Sequence, residues 1–297
     1  MMRRSTSELH KFMSADRAIS FLSSRTIRFT QPDFLNDPYE CHLTIDRAAR
    51  KDLLDDFERG YREHFPQCTN EEVKERVKAN ESMVIEHALL RYRNIRNDLG
   101  VLSLSENPLN LLMWAHYGDE HRGVVVELDF THPSLLRFSA GGNEFSHLCA
   151  VRYTKEKVCG APTPDNVIQT LITKSPEWEY ELEWRFIRTL NLLKKVNDRV
   201  YVAEIDPKAI KRVILGARFP AERLPEIMRE IRVNDLEHVR VEKAVMIPNQ
   251  FGLRLVDPGK FGWTLLHREH HFGDVANEAL LCLTMDEDEN QDDNVKS

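Results

Sequence analysis

Val101–Phe130, VLSLSENPLNLLMWAHYGDEHRGVVVELDF, is the stretch whose reading decides the fold. Val101, Leu102 and Leu104, interleaved with Ser103 and Ser105, suit a short strand. Pro108 suits the first turn of a helix, along which Leu109, Leu112, Met113 and His116 keep helical spacing, and Gly118 can end it. Gly123 then opens Val124-Val125-Val126-Glu127-Leu128-Asp129-Phe130, a β-branched run of strand length. Trp114, His116, Tyr117, Asp119 and His121 crowd the joint between helix and second strand, a place where sites often form. A helix cap with an aromatic plug accounts for the same residues.

Around this block the chain has 297 residues, enough for one large domain or two small ones. Hydrophobic residues make up 41% and charged residues 30%, the balance of a soluble globular protein. The longest apolar runs are too short to cross a bilayer and no signal-peptide core follows Met1–Arg4, so a cytoplasmic protein with no membrane partner is expected. The five cysteines form no CxxC pair, which argues against a disulfide framework or a thiolate metal site. The net charge of −7 is concentrated in the tail 286–297, DEDENQDDNVKS, which carries six acids and one lysine. The rest is nearly neutral, and composition gives no sign of a nucleic-acid partner. The tail has Val295 as its one apolar residue and is expected to be disordered, leaving 1–285 as a single domain.

Leu9-His10-Lys11-Phe12 reads as a first strand, followed by a helix capped by Ser14 and carrying Ala18, Ile19, Phe21 and Leu22 inward. Thr26–Thr30 reads as a strand, and Gln31–Glu40 as a proline-framed loop in which Asn36 and Asp37 suit turns that satisfy their own backbone. Over residues 46–98 the period changes to that of helices. Leu53, Leu54, Phe57 and Tyr61 mark one, and a Thr69/Glu72 capping box opens a second helix or pair. A strand is expected at 149–154 and a helix through Val167–Ile172 closed by Lys174, whose charge suits a helix C-terminus. Trp178, Tyr180, Leu182, Trp184 and Phe186 alternate with Glu177, Glu179, Glu181, Glu183 and Arg185, the pattern of a strand, with a helical turn after Pro176 as the alternative for its first residues. Later strands at 200–205, 212–215, 239–245 and 253–256, with a helix over 221–231, complete an α+β chain with a mixed or antiparallel sheet and a helical insertion at 46–98. The segment 260–283, with His267, His270 and His271, has no clear period.

Three motifs, Asn36-Asp37-Pro38-Tyr39-Glu40, Trp114-Ala115-His116-Tyr117 with His121 and Gly123, and Trp178–Arg185, together resemble domain-of-unknown-function family 2971. The resemblance implies that Asn36, Asp37, Glu40, Trp114, His116, Tyr117, His121, Lys174, Glu181, Glu183 and Arg185 belong to one site. A more distant likeness is to ADP-ribosyltransferases, which place an Arg or His, a Ser-x-Ser and a Glu-x-Glu on three successive elements. His10 or Arg28, Ser103-Leu104-Ser105 and Glu181-Leu182-Glu183 fill those places, although Leu104 stands where threonine is expected.

That likeness implies a small-molecule or nucleotide ligand, with NAD as the cofactor hypothesis. Glu181, Glu183 and His116 would be the catalytic groups. Asn36, Asp37, Glu40, Trp114, Tyr117, His121, Lys174 and Arg185 would hold the ligand, an aromatic such as Trp114 or Tyr117 stacking on a ring. A carboxylate suits the oxocarbenium-like centre of glycosyl transfer. Glu183, expected to face the pocket, should then tolerate Gln with little loss of stability. A non-catalytic ligand-binding or interaction protein would keep the same pocket. A metal-dependent hydrolase would draw on Asp37, Glu40, His116, Asp119 or His121, whose spacing matches no zinc motif. The oligomeric state stays open.

Overall fold

The computed structural model describes residues 8–136 and 146–257. The acidic tail and the segment 260–283 lie outside the described residues. β1 (Glu8–Met13) runs directly into α1 (Ala15–Ser24), whose N-cap Ser14 accepts from the Arg17 amide. β2 (Thr26–Phe29) precedes a loop and then two long helices, α2 (Arg47–His64) and α3 (Asn70–Asn97). Both halves of the Thr69/Glu72 capping box are made. α3 is one continuous helix, and it buries Val73, Ala88, Tyr92 and Arg96. The central block gives β3 (Leu99–Ser105), α4 (Leu111–Tyr117) and β4 (Val124–Asp129). After these come α5 (Pro133–Leu136), β5 (Ser146–Ala150), β6 (Arg152–Tyr153), α6 (Pro164–Leu171), β7 (Thr173–Lys174) and β8 (Glu183–Thr189). The chain continues with β9 (Lys194–Asn197), β10 (Val200–Glu204), β11 (Ile210–Leu215), α7 (Leu224–Val233), β12 (Arg240–Met246) and β13 (Leu253–Val256).

The main sheet has the order β13-β12-β11-β4-β1-β3-β8-β5, and β2-β10-β9 form a smaller one. Only β11 and β12 pair in parallel within the main sheet, so the architecture is α+β with a mixed sheet. Alternation assigns its two faces. Leu9, Val124, Val126, Leu128, Val213, Trp184 and Phe186 join Phe21 and Leu22 of α1 and Ile227 and Ile231 of α7 in the larger core. The opposite face holds two separate apolar patches, one around Phe12, Trp114, Val125 and Ile214, the other around Tyr92, Val101, Leu171 and Ile187. Polar residues of β1, β3 and β8 occupy the strip between the patches. Among the described residues no helix is long and apolar enough to cross a membrane.

Two features position that strip. β1 meets β3 at a single pair, His10 with Ser105, although β1 stays paired to β4 along its whole length. The sheet therefore parts between Lys11-Phe12 and Ser103-Leu104. The second feature is the link after α4, where Asp119, Glu120 and His121 adopt φ values of 50°, 53° and 68° in succession. Non-glycine residues hold such a left-handed run only where the surroundings enforce it. Here the His121 carbonyl accepts from the Arg218 amide and sits 2.1 Å from where a Cβ at Gly216 would be, so position 216 admits only glycine.

Several boundaries differ from the sequence expectation. Pro108 lies before the central helix, not in its first turn: Asn110 caps α4, and the Pro108 carbonyl accepts from Trp114 Nε1 at 2.7 Å. Residues 176–181 form a 3₁₀ helix that ends in a left-handed Leu182, so β8 begins only at Glu183. This is the turn after Pro176 that the sequence allows as an alternative; it runs as far as Leu182, and its exposure alternates as a strand's would. The strand expected at 149–154 is divided at Val151 between β5 and β6. β9 is exposed at every position and carries no burial pattern to read. From Glu183 onward the period holds, with Trp184 buried and its Nε1 donating to Glu106 at 2.6 Å. Trp184→Ala is expected to cost about 3–5 kcal/mol in denaturant unfolding, since it leaves a cavity in the larger core and removes that hydrogen bond.

Candidate functional site

One hydrogen-bonded chain joins the three sequence motifs. Asn36 Nδ2 donates to Tyr117 Oη at 2.8 Å, and Tyr117 Oη donates to Glu181 Oε1 at 2.7 Å. Lys174 Nζ donates to Glu181 Oε2 at 2.6 Å and to Glu183 Oε2 at 3.4 Å. Arg185 clasps Glu183 through Nε at 2.8 Å and Nη2 at 3.1 Å, gives Nη1 to the Leu171 carbonyl at 2.7 Å, and bonds Glu40 through Nη2. Residues from the loop before α2, from α4, from β7 and from β8 thus interlock.

Local geometry explains each placement. Lys174 does not end a helix as expected, because α6 stops at Leu171; it lies on β7, which pairs with β6 and aims the amine inward. Its Nζ also sits 4.5 Å from the centre of the Trp178 ring. Glu181 and Glu183 were expected on one strand face. They converge instead through the bend at Leu182, while Ser105 Oγ holds the Glu181 carbonyl at 2.7 Å. Asp37 takes its architectural option, accepting from the Tyr39 amide at 2.8 Å.

Electrostatics follow from burial. Glu40, Glu181, Glu183, Lys174 and Arg185 are all buried, the guanidinium 1% exposed. Three carboxylates face two cations, so the cluster carries one surplus negative charge when all are ionised. Burial would raise the Glu183 carboxyl, but Arg185 and then Lys174 bring it down to about 2. Glu181 absorbs the surplus: burial first and the charge of Glu183 second push it up, against the pull of Lys174 and Tyr117. Among the described residues Glu40 Oε1 has no hydrogen-bond partner, in keeping with the surplus of carboxylates over cations.

The cluster borders the gap between β1 and β3. A cavity of about 330 Å³ opens there, lined by His10, Lys11, Ser103, Ser105, Tyr117, Lys174, Glu181 and Glu183 among others. Of the residues the sequence grouped together, four stand apart: Asp37, which accepts from the Tyr39 amide, and Trp114, His121 and His116. Trp114 is fully buried against Phe12 at 5.3 Å and has no face for a ligand. His121 stacks on Trp114 at 6.2 Å and supports the left-handed link. His116 is exposed at the edge of an adjoining cavity, near the Tyr117 and Tyr180 rings, and touches neither carboxylate. Among the described residues no three His, Cys, Asp or Glu side chains gather as a metal site requires.

The family model described as protein of unknown function (DUF2971) matches residues 113–186. That stretch is similar to the DUF2971 family. It carries Tyr117, Lys174, Glu181, Glu183 and Arg185, whereas Asn36 and Glu40 reach the site from outside it. No curated protein and no solved structure matches the chain. The ion pairs of Glu183 with Arg185 and Lys174 are buried, so the expectation of a harmless Glu183→Gln is replaced. That change leaves Arg185 short of charge inside the protein and should cost about 3–5 kcal/mol in denaturant unfolding. Glu181→Gln, which removes a carboxylate already disfavoured as an anion, should cost clearly less. The pH dependence has a matching sign. A carboxyl lowered to about 2 from 4.5 stabilises fully above pH 4.5 and loses this as pH falls toward 2, so the melting temperature should drop across that window. Glu181, shifted upward, works the other way above pH 4.5 and should flatten the profile there.

Proposed function

We propose that the gap between β1 and β3 is the site of an ADP-ribosyltransferase-like enzyme using NAD. The observation that carries this reading is that His10, Ser103, Ser105, Glu181 and Glu183, residues of the three elements of that resemblance, line a single cavity. Three adjacent strands, β1, β3 and β8, with the 3₁₀ turn that leads into β8, bring them there in order. The surplus negative charge around Glu181 suits a reacting carbon that becomes cationic: the bond from ribose C1′ to the nicotinamide nitrogen breaks, its electron pair leaving with the nitrogen. An acceptor oxygen or nitrogen then bonds C1′ and gives up its proton.

In this reading Glu181 faces the sugar, and Asn36 and Tyr117 fix its orientation. Lys174 and Arg185 hold Glu183 ionised beside it, and Glu40 anchors the Arg185 guanidinium. His116 stands at the outer rim, and Trp114 with His121 shapes the wall behind α4. The engagement of both carboxylates by Lys174 and Arg185 favours a second reading, a ligand-binding protein without turnover. Incubating the full chain with NAD separates the two. Nicotinamide release, with a mass increase on an acceptor, is the expected result, and Glu181→Gln should lower it on the order of a hundredfold while the protein stays folded. NAD bound but never consumed would establish the non-catalytic reading, and no interaction with NAD at all would remove the first.

A further inference from the structure

Past the gap the cleft widens toward α1 and β2 into a second cavity of about 630 Å³. Lys11, Arg17 and Arg28 line both cavities. Lys11 spans the parting strands, its Nζ donating to the Ser103 carbonyl at 2.9 Å. Arg17 projects from the first turn of α1, and Arg28 from β2, where its guanidinium reaches the Arg199 carbonyl at 3.4 Å. Among the described residues none of the three has a carboxylate within 4.0 Å. Arg47, Arg91 and Arg93 on the surface also lack an ion pair, so what sets the three apart is that they converge on one concave space.

Three cations without an ion-pair partner, from three elements facing one concave space, repel one another. The effect is visible at Lys11: burial lowers its amine most, and Arg17 and Arg28 add to this against the pull of Glu183, leaving it at about 8. An anion in the cleft relieves that repulsion. Arginine pairs bind phosphate oxygens in forked geometry, and lysine adds a point charge. The spread of the cations along a cleft of this size suits charge distributed over two phosphates rather than one.

We infer that Lys11, Arg17 and Arg28 form a subsite for the diphosphate group of a nucleoside diphosphate or its conjugate. The cleft is then bipolar, with cations at the β2 end and the acidic cluster at the β8 end. The direction in which the sugar runs, from the cations toward Glu181, rests on the function proposed above; the anion subsite itself does not.

Calorimetry on the full chain with ADP, inorganic pyrophosphate and adenosine tests the subsite. ADP and pyrophosphate should bind, and adenosine should bind about tenfold more weakly than ADP or worse. Arg17→Gln/Arg28→Gln should weaken ADP by about tenfold or more, with partial recovery in Arg17→Lys/Arg28→Lys. Both arginines are exposed, so the melting temperature reports whether either double variant has kept its fold. Arg50→Gln/Arg59→Gln on α2 removes the same charge far from the cleft and should leave binding unchanged. Failure of ADP and pyrophosphate to bind, or equal affinity in the Arg17/Arg28 glutamine variant, overturns the subsite. Binding of ADP by a protein that ignores NAD would uphold the subsite and discard the NAD reading.

Discussion

A guanidinium removed from water is the constraint on which the rest depends. Arg185 is 1% exposed, and taking an ion out of solvent costs several kcal/mol unless its donors and charge are met in place. Its partners come from well separated parts of the chain: Glu183 two residues away, the carbonyl at the end of α6, and Glu40 from the loop before the long helices. No one element could supply them. Each must arrive in register for the charge to be tolerated, so the salt-bridge cluster couples β8, α6 and the Asn36–Glu40 loop into one unit. Such a cluster is weak evidence for extra stability, because an apolar core of the same volume would do as well. It is better evidence that the polar strip on the sheet serves a purpose other than holding the fold.

Placement of the strip follows from the sheet's two faces. Toward α1 and α7 the apolar residues of β1, β4, β8 and β11 form a continuous core. Toward α4 and α6 the covering helices are short and set apart, leaving the centre of β1, β3 and β8 to polar side chains. The parting of β1 from β3 lies in that uncovered centre. Strand pairing on both sides of the gap remains intact, through β4 on one side and β8 on the other, so the opening costs the sheet only a few ladder bonds. The long pair α2 and α3 stays outside: Arg96 bonds the Cys41 carbonyl and Asp33, and Tyr92 donates to the same carbonyl, fixing the loop that delivers Asn36 and Glu40.

Where a period repeats and burial is one-sided, the sequence was a sound guide. The amphipathic stripe of α3, the Thr69/Glu72 box and the alternation through Trp184 and Phe186 all rest on local physics that a reader of the chain can apply. Reading stayed undecided where two conformations share a pattern. Trp178–Leu182 alternates in either a strand or a 3₁₀ turn, and only the left-handed Leu182 decides it. The site was legible as a set of motifs but not as a circuit. Lys174 looked like a helix-end charge, Trp114 and His121 like ligand contacts, and the roles of Lys11 and Arg17 left no local mark, because each depends on partners distant in sequence.

Trp114 shows how a residue can belong to a motif and still stay away from the ligand. Its ring fills the space between Phe12 and His121, and its Nε1 is spent on the Pro108 carbonyl. Its own carbonyl accepts from the amides of Gly118 and His121. The indole therefore sets the pitch of α4 and the entry of the left-handed link, and through them the position of Tyr117, which alone in that helix reaches Glu181. Packing that fixes one hydroxyl to within hydrogen-bonding distance of a buried carboxylate demands as definite a residue as binding would. The motif around Trp114 thus reads as a rigid mount, with Tyr117 as the part that meets the cleft.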